Sequence, residues 1–415
     1  MAKKRDMEGN RLHHFELSDK HRTVRWVLII ILLVVAAVAI VIGLMSALKI
    51  PAGWQTVEAS STKMNCSHDF VLHYELGAGG QSASAESKVL ELLYGKASET
   101  AWLLFYNEAG VSGLNGLYAL NQHPNTEIQV DRALYTALAQ LQENGTRALY
   151  LAPVYAAYDR VFHSADELIA EDNDPTQNGE IREYVAKLAS FANDPETIQL
   201  ELRSDHRVLL RVSEAYLTFA RENELTYFLD FGWLRNAFVI DYMAQQLLEN
   251  GFTNGYFSSV DGFTRNLDQR DTAYTFNLFD KGEVAAVMEY RGAASIAFLR
   301  SYPMYQEDAV RYYTFADGRV VTALIDPADG QSKVAADQLV SYSTKMGCAE
   351  LALSMLPVYV TEDFSEELLN ELTEKSVYSV WFAGELLRYN QQDLPITLQD
   401  AAYVAQYAYL QKNPF

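Results

Sequence analysis

The chain has 415 residues with 33 Lys and Arg against 54 Asp and Glu, a formal net charge of −21 at pH 7. Such a surface excludes a nucleic-acid binder and a module that docks on anionic lipid by charge. Two cysteines exclude a scaffold held by many disulfides, so a hydrophobic core has to do the stabilising.

The first 25 residues form a basic tail with seven Lys and Arg (Lys3, Lys4, Arg5, Arg11, Lys20, Arg22, Arg25) against four acids. His13, His14 and His21 in it lack a regular ligand spacing and read as a solvated segment. Residues 26–48, WVLIIILLVVAAVAIVIGLMSAL, follow without one charge. As a helix they span roughly 34 Å, against a hydrocarbon core of about 30 Å. The run is too long for the apolar region of a cleaved signal peptide, and Cys66 lies too far beyond it for a lipoprotein. The basic flank predicts a single-pass anchor in the cell membrane, N-terminus in the cytoplasm and the remainder extracytoplasmic. Residues 49–62 are expected to be a linker, and 63–415 to form one outer domain.

Alternating apolar residues predict strands at Phe70–Leu76, Trp102–Tyr106, Thr197–Arg203, Val208–Val212, Tyr227–Phe231, Gly255–Ser259, Ala273–Leu278, Val284–Tyr290, Val340–Ser343 and Val377–Phe382. Helical periodicity predicts helices at Ala85–Leu93, Arg132–Gln142, Ile181–Phe191, Ser213–Glu222, Leu234–Asn250, Cys348–Met355, Glu366–Glu374 and Leu398–Leu410. Irregular alternation, with a hairpin around Asp205-His206, points to an α+β fold of mixed and antiparallel sheets flanked by helices. The acidic, turn-rich stretch from His163 to Asn178 is expected to be a mobile surface excursion.

Three segments carry chemistry. In Leu229-Asp230-Phe231-Gly232-Trp233-Leu234-Arg235-Asn236 through Asp241, a carboxylate enters a turn whose glycine permits close backbone approach, and a helix leads away. In Asp317-Gly318 through Asp326-Pro327-Ala328-Asp329-Gly330, two turns bracket one strand. In Cys348-Ala349-Glu350-Leu351-Ala352-Leu353-Ser354, Glu350 and Ser354 are four residues apart, so both oxygens can face one site.

The order of these segments across residues 62–360 resembles the FAD:protein FMN transferases, the ApbE family. Its members read I-D-L-G-G-I-A-K-G-Y-A-V-D, D-G-x-x-x-H-I-I-D-P-x-T-G and A-D-A-x-x-T at the three places. Met64 before the first strand and Leu120-Asn121 before a Val-x-Val and a long helix also match. The resemblance implies an ApbE-like fold and Mg²⁺-dependent transfer of FMN from FAD to a threonine of an extracytoplasmic acceptor protein. FAD would meet Met64, Asn121, Asp230, Gly232, Asp241 and Asp326, and Mg²⁺ would meet Glu350, Ser354 and the backbone at Trp233.

The departures matter as much. Ala323 stands where the family has its histidine, so no catalytic residue is assigned. Asn236 replaces the lysine, Asp329 replaces a threonine, and Ser259-Val260-Asp261 replaces Gly-Gly-Asp. His68, His73, His163 and His206 are candidate substitute bases by residue type only. The alternative to a transferase is an inactive member that binds flavin or a protein. The resemblance also brings Cys66 and Cys348 to one site and implies a bridge between them.

Overall fold

The computed structural model describes residues 22–47, 49–60, 64–108, 110–304 and 310–408, and divides into two units, 1–51 and 52–415. In the first, Arg22–Ala47 is one continuous helix, but side chains are described in an unbroken run only over 26–40. Among the described residues no helix is long and apolar enough to cross a membrane. The basic tail of residues 1–21, with its three histidines, lies outside the described residues.

The second unit is built on a nine-stranded sheet. Its strands run, in spatial order, Gly53–Val57, Phe70–Leu76, Gly255–Ser259, Phe263–Asn266, Ala294–Arg300, Gln338–Ser343, Tyr378–Ala383, Leu386–Tyr389 and Val404–Tyr407. All neighbours are antiparallel except the last pair, Leu386–Tyr389 with Val404–Tyr407. Ala294–Arg300 and Gln338–Ser343 are buried at every position, and the first, ASIAFLR, shows no alternation of the kind that betrays a half-exposed strand. That is why the first escapes the sequence pattern.

One face of this sheet carries the helices Ala83–Phe105, Arg235–Glu249 and Cys348–Tyr359. The other face is covered by a three-stranded sheet of Ala273–Asp280, Glu283–Arg291 and Ile396–Leu398. Between the two sheets, Leu278, Met288 and Tyr290 pack on Ile296, Phe298, Val340, Tyr342 and Val380. Residues 117–222 add a helical lobe with its own small sheet, Glu127–Gln129, Arg207–Val212 and Ile198–Arg203. The helix Arg132–Asn144 shows local control well: Asp131 caps its first turn by accepting from Ala133 N at 2.7 Å, and Gly145 ends it at φ 78°.

Several expectations are corrected. Trp102–Tyr106 is the last turn of the helix Ala83–Phe105, whose stripe Leu90, Tyr94, Ala97, Ala101, Leu104 keeps the 3.6-residue period to its end. Tyr227–Phe231 pairs with no strand. Leu398–Leu410 is not a helix within its described part: Ile396–Leu398 and Val404–Tyr407 are strands, because pairing to Met288–Ala286 and to Leu386–Tyr389 supplies backbone partners that outweigh local propensity. Gly53–Val57, in the stretch read as linker, is the edge strand of the large sheet.

The acidic excursion is anchored as well. It contains the helix Glu167–Asn173, and its Asp174 is fully buried in an ion pair with Arg319 and accepts from Thr176 Oγ1 at 2.7 Å. Glu167 accepts from Ala316 N at 2.7 Å, so the segment is tied to the turn at Asp317-Gly318.

Candidate functional site

The Asp230 turn is held from below by two carboxamides, Asn121 and Asn107. Asn121, 4% exposed, accepts from Phe228 N and Leu229 N, each at 2.9 Å, and donates to Leu229 O and to Asn107 Oδ1 at 2.6 Å. An amide has two donors and one oxygen with two lone pairs, so Asn121 is fully used by the framework. Asp230 is equally occupied. Its Oδ1 accepts from Gly232 N at 2.7 Å and Arg235 Nη2 at 2.6 Å, and its Oδ2 from Asn107 Nδ2 at 2.9 Å.

Gly232 sits at φ +54°, and a Cβ there would lie 2.4 Å from Cζ of Tyr155. The glycine admits the Tyr155 ring, whose hydroxyl donates to Ala148 O at 3.0 Å. Asn236, where the resemblance expects a lysine, is 2% exposed, and its amide nitrogen has no acceptor among the described residues.

From this turn a chain of charges runs outward. Arg235 lies 4.5 Å above the Tyr106 ring. Burial raises the phenol of Tyr106, keeping it protonated as a donor to Asp69 Oδ2 at 3.4 Å. Arg311 stands 3.8 Å from both Asp69 and Asp261, and Asp261 accepts from Ser259 Oγ at 2.5 Å. Arg311 lines a cavity of about 20 Å³ together with Trp233, Asp261, Phe263, Leu299, Arg300, Tyr312, Ala323 and Leu324. This is the position of the expected histidine, and a methyl group occupies it. His68, His73, His163 and His206 do not line the cavity.

Asp241 does another job. From the middle of the helix Arg235–Glu249 it accepts from Cys348 N and Ala349 N, each at 2.9 Å, and so caps the helix Cys348–Tyr359. Gly347 makes room for it, since a Cβ there would lie 2.3 Å from Asp241 Oδ2. Burial raises the Asp241 carboxyl above the usual range, against the opposing pull of Arg265 at 3.8 Å and the two amides.

On the capped helix, Glu350 is exposed and Ser354 turns its hydroxyl back to Glu350 O at 2.9 Å. The helix packs against the Gly232–Leu234 turn, so Glu350, Ser354 and Trp233 belong to adjoining elements. Among the described residues no group of three or more His, Cys, Asp or Glu is arranged to hold a metal ion. Asp326 is likewise framework: it accepts from Ala328 N at 2.9 Å and from Lys333 Nζ at 3.1 Å, and Lys333 also reaches Asp329 at 2.7 Å. Met64 is half-buried ahead of the first long strand.

The cysteines do not bridge. Both are buried and free; Cys66 Sγ donates to Ser98 O and Cys348 Sγ to Thr264 O, each at 3.3 Å. Burial pushes the Cys66 thiol up to about 12, which makes it a protonated core group.

Neither expected group fits the residues present. FAD needs a cleft of at least about 300 Å³, and the cavity at Ala323 has room for about one water. Roomier depressions lie elsewhere: one of about 510 Å³ reaches Asp326, but its cation Arg147 is spent on Ala192 O, Gln199 and Ile198 O, and one of about 430 Å³ reaches Asp241 and Ala349 but sets Asp131, Asp241 and Glu249 against Arg132, a poor match for a pyrophosphate. Mg²⁺ would find Glu350 in solvent, Ser354 committed to a carbonyl, and Asp241 engaged as a cap. Asn107, Tyr106, Asp69, Arg235, Arg311 and Tyr155 were not singled out as site residues by the sequence, and only Arg235 lay inside a motif segment.

No family model matches the chain, and no curated protein matches it. Solved structures do. The ApbE protein of Thermotoga maritima superposes with a TM-score of 0.52 at 12% identity, covering 79% of this chain and 93% of that one. A histidine-to-glycine mutant of the flavin transferase ApbE from Vibrio cholerae gives 0.51 at 13%, covering 84% and 97%. At such identities the likeness speaks for architecture, and the chain has an ApbE-like fold.

Proposed function

We propose that this protein is a single-pass membrane protein whose extracytoplasmic domain keeps the ApbE-like fold as a binding module and does not transfer FMN. The observation that carries this reading is the neighbourhood of Ala323. The expected proton-transfer position is a methyl group, and the space around it is closed down to about 20 Å³ by Trp233, Leu299, Arg300 and Arg311. Charge points the same way. Asp230 is paired with Arg235, Asp69 and Asp261 face Arg311, and Asp326 and Asp329 share Lys333, so carboxylates outnumber cations here, a poor surrounding for a pyrophosphate.

Transferase activity remains the reading favoured by one arrangement, Glu350 and Ser354 on a helix against the Gly232–Leu234 turn. The 23-residue uncharged run and its basic flank support the anchor, with the domain outside a bacterial membrane. The deciding experiment titrates FAD into the purified protein with and without Mg²⁺, followed by flavin fluorescence and by assay for AMP. The proposal expects neither saturable Mg²⁺-dependent binding nor AMP release with any added acceptor protein. Mg²⁺-dependent binding with AMP release would overturn it and restore the transferase.

A further inference from the structure

The cavity at Ala323 has a chemical bias that its size alone does not show. Trp233 is 6% exposed, and its indole Nε1–H is buried without an acceptor among the described residues. Arg311 lines the same cavity, and its Nη1 is buried without an acceptor among the described residues. Phe263, Leu299, Ala323 and Leu324 are apolar walls, Arg300 adds a second cation, and Tyr312 turns its hydroxyl to Arg300 O at 3.2 Å. Asp261 also lines the cavity, but it accepts from Ser259 Oγ and faces Arg311 Nε at 3.8 Å, and Asp69 is 3.8 Å from Arg311 Nη2. Both carboxylates therefore stand beyond direct hydrogen bonding to the guanidinium and leave Nη1 unsatisfied.

An unmet buried donor costs about 1–3 kcal/mol, more when charged. Two such donors on one partly apolar space of about 20 Å³ are satisfied together by one compact acceptor. We infer that the Ala323 cavity binds a small anionic acceptor, either a free halide or the carboxylate end of a small molecule, between Trp233 Nε1–H and Arg311. The assignment rests on the reading of this site as a non-transferring one, because a bound flavin would need the same space. The negative charge answers the cation of Arg311, and the apolar walls favour a weakly hydrated ion over a polyvalent phosphate. Ala323 is required by the same logic, since a larger side chain would fill the cavity.

The test uses the full-length protein labelled with ¹⁵N-tryptophan. Its five indole signals are followed by NMR, with Trp233 assigned through Trp233→Phe. Sodium chloride and sodium acetate are titrated separately, at ionic strength held constant with sodium sulfate, whose anion is too large for the cavity. A saturable shift confined to the Trp233 indole is expected: with chloride it identifies a halide site, with acetate alone a carboxylate site. Arg311→Gln should weaken that binding by at least about tenfold, and Arg311→Lys by less, while the other four indole signals certify the fold. Absence of a saturable shift with either anion would mean that water fills the cavity and would overturn the inference. So would saturation unchanged in Arg311→Gln. Neither flavin nor Mg²⁺ is present, so failure here leaves the FAD experiment to judge the non-transferring reading separately.

Discussion

The turn at Asp230 and the helix start at Cys348 carry the two segments most expected to meet ligand, and they are built in opposite ways. In the turn the carboxylate and the carboxamide beneath it are spent inward: Asp230 on Gly232, Arg235 and Asn107, and Asn121 on the backbone beneath. At the helix start the amides are spent on Asp241, while Glu350 on the outward side stays in solvent. The first region is rigid and self-neutralised; the second leaves its ligand-type side chains unorganised. Residue types suited to ligand, at suitable spacing, serve the framework whenever the protein itself supplies nearer partners.

The largest way to break this contrast is Gly232→Ala. A side chain at φ +54° that also meets Tyr155 at 2.4 Å should cost about 3 kcal/mol, strain and overpacking together, in denaturant unfolding. Next comes Asn121→Ala, which strands the amides of Phe228 and Leu229 and takes the donor from Asn107 Oδ1. It should cost about 2–3 kcal/mol, with Asn121→Asp recovering part because its oxygens still accept.

A pH series sharpens the comparison by setting Asp241 against a structural carboxylate away from the site. Burial alone pushes the Asp268 carboxyl up, but hydrogen bonds from Arg270 and Tyr274 outweigh it and hold it at about 2. Its folded value is depressed, so its contribution is present above the ordinary carboxylate pKa near 3.8 and is lost as pH falls from there toward 2. It should amount to about 1–2 kcal/mol after screening at the exposed end of Arg270, read as the stability difference between the wild type and Asp268→Asn. Asp241 has the opposite sign. Its folded value is raised, so the wild type should gain on Asp241→Asn as pH falls through that raised value and lose ground as pH rises. Parallel slopes for the two variants would refute the contrast.

The smallest expected effect is Glu350→Ala with Ser354→Ala. An exposed glutamate and a serine bonded to its own helix should change stability by less than about 0.5 kcal/mol. A melting temperature that rises with Mg²⁺ in the wild type and not in this double variant would show that the helix face does assemble a metal site.

Much of the fold was legible, and the misses share a cause. Phe70–Leu76, Gly255–Ser259 and the hairpin Ala273–Asp280 with Glu283–Arg291 expose one face in part, so period two shows through. Ala294–Arg300 is buried throughout and shows none. The C-terminal segment, with Tyr403 and Tyr407 four apart, fits a helix locally and becomes strand only because Leu386–Tyr389 offers a free edge. At the site, Asp230, Gly232 and Asp241 were legible as special positions, since a carboxylate before a glycine turn and one beside an apolar helix face both need partners. Which partners was not legible. Asn107 lies 123 residues from Asp230, and Gly347 lies 106 positions from Asp241.

By itself the sequence determined the uncharged 23-residue run, the acidic composition, the periodicities of the half-exposed elements and the presence of alanine at 323. These are local or compositional properties, set by which side chains are present and how they are spaced. Only the tertiary structure decided that Asn121 and Asp241 are framework, that both thiols stay protonated and apart, and that Trp233 and Arg311 share one small cavity. Each of these depends on which distant groups arrive first at a buried donor or acceptor, and burial makes an unmet partner too costly to leave to solvent.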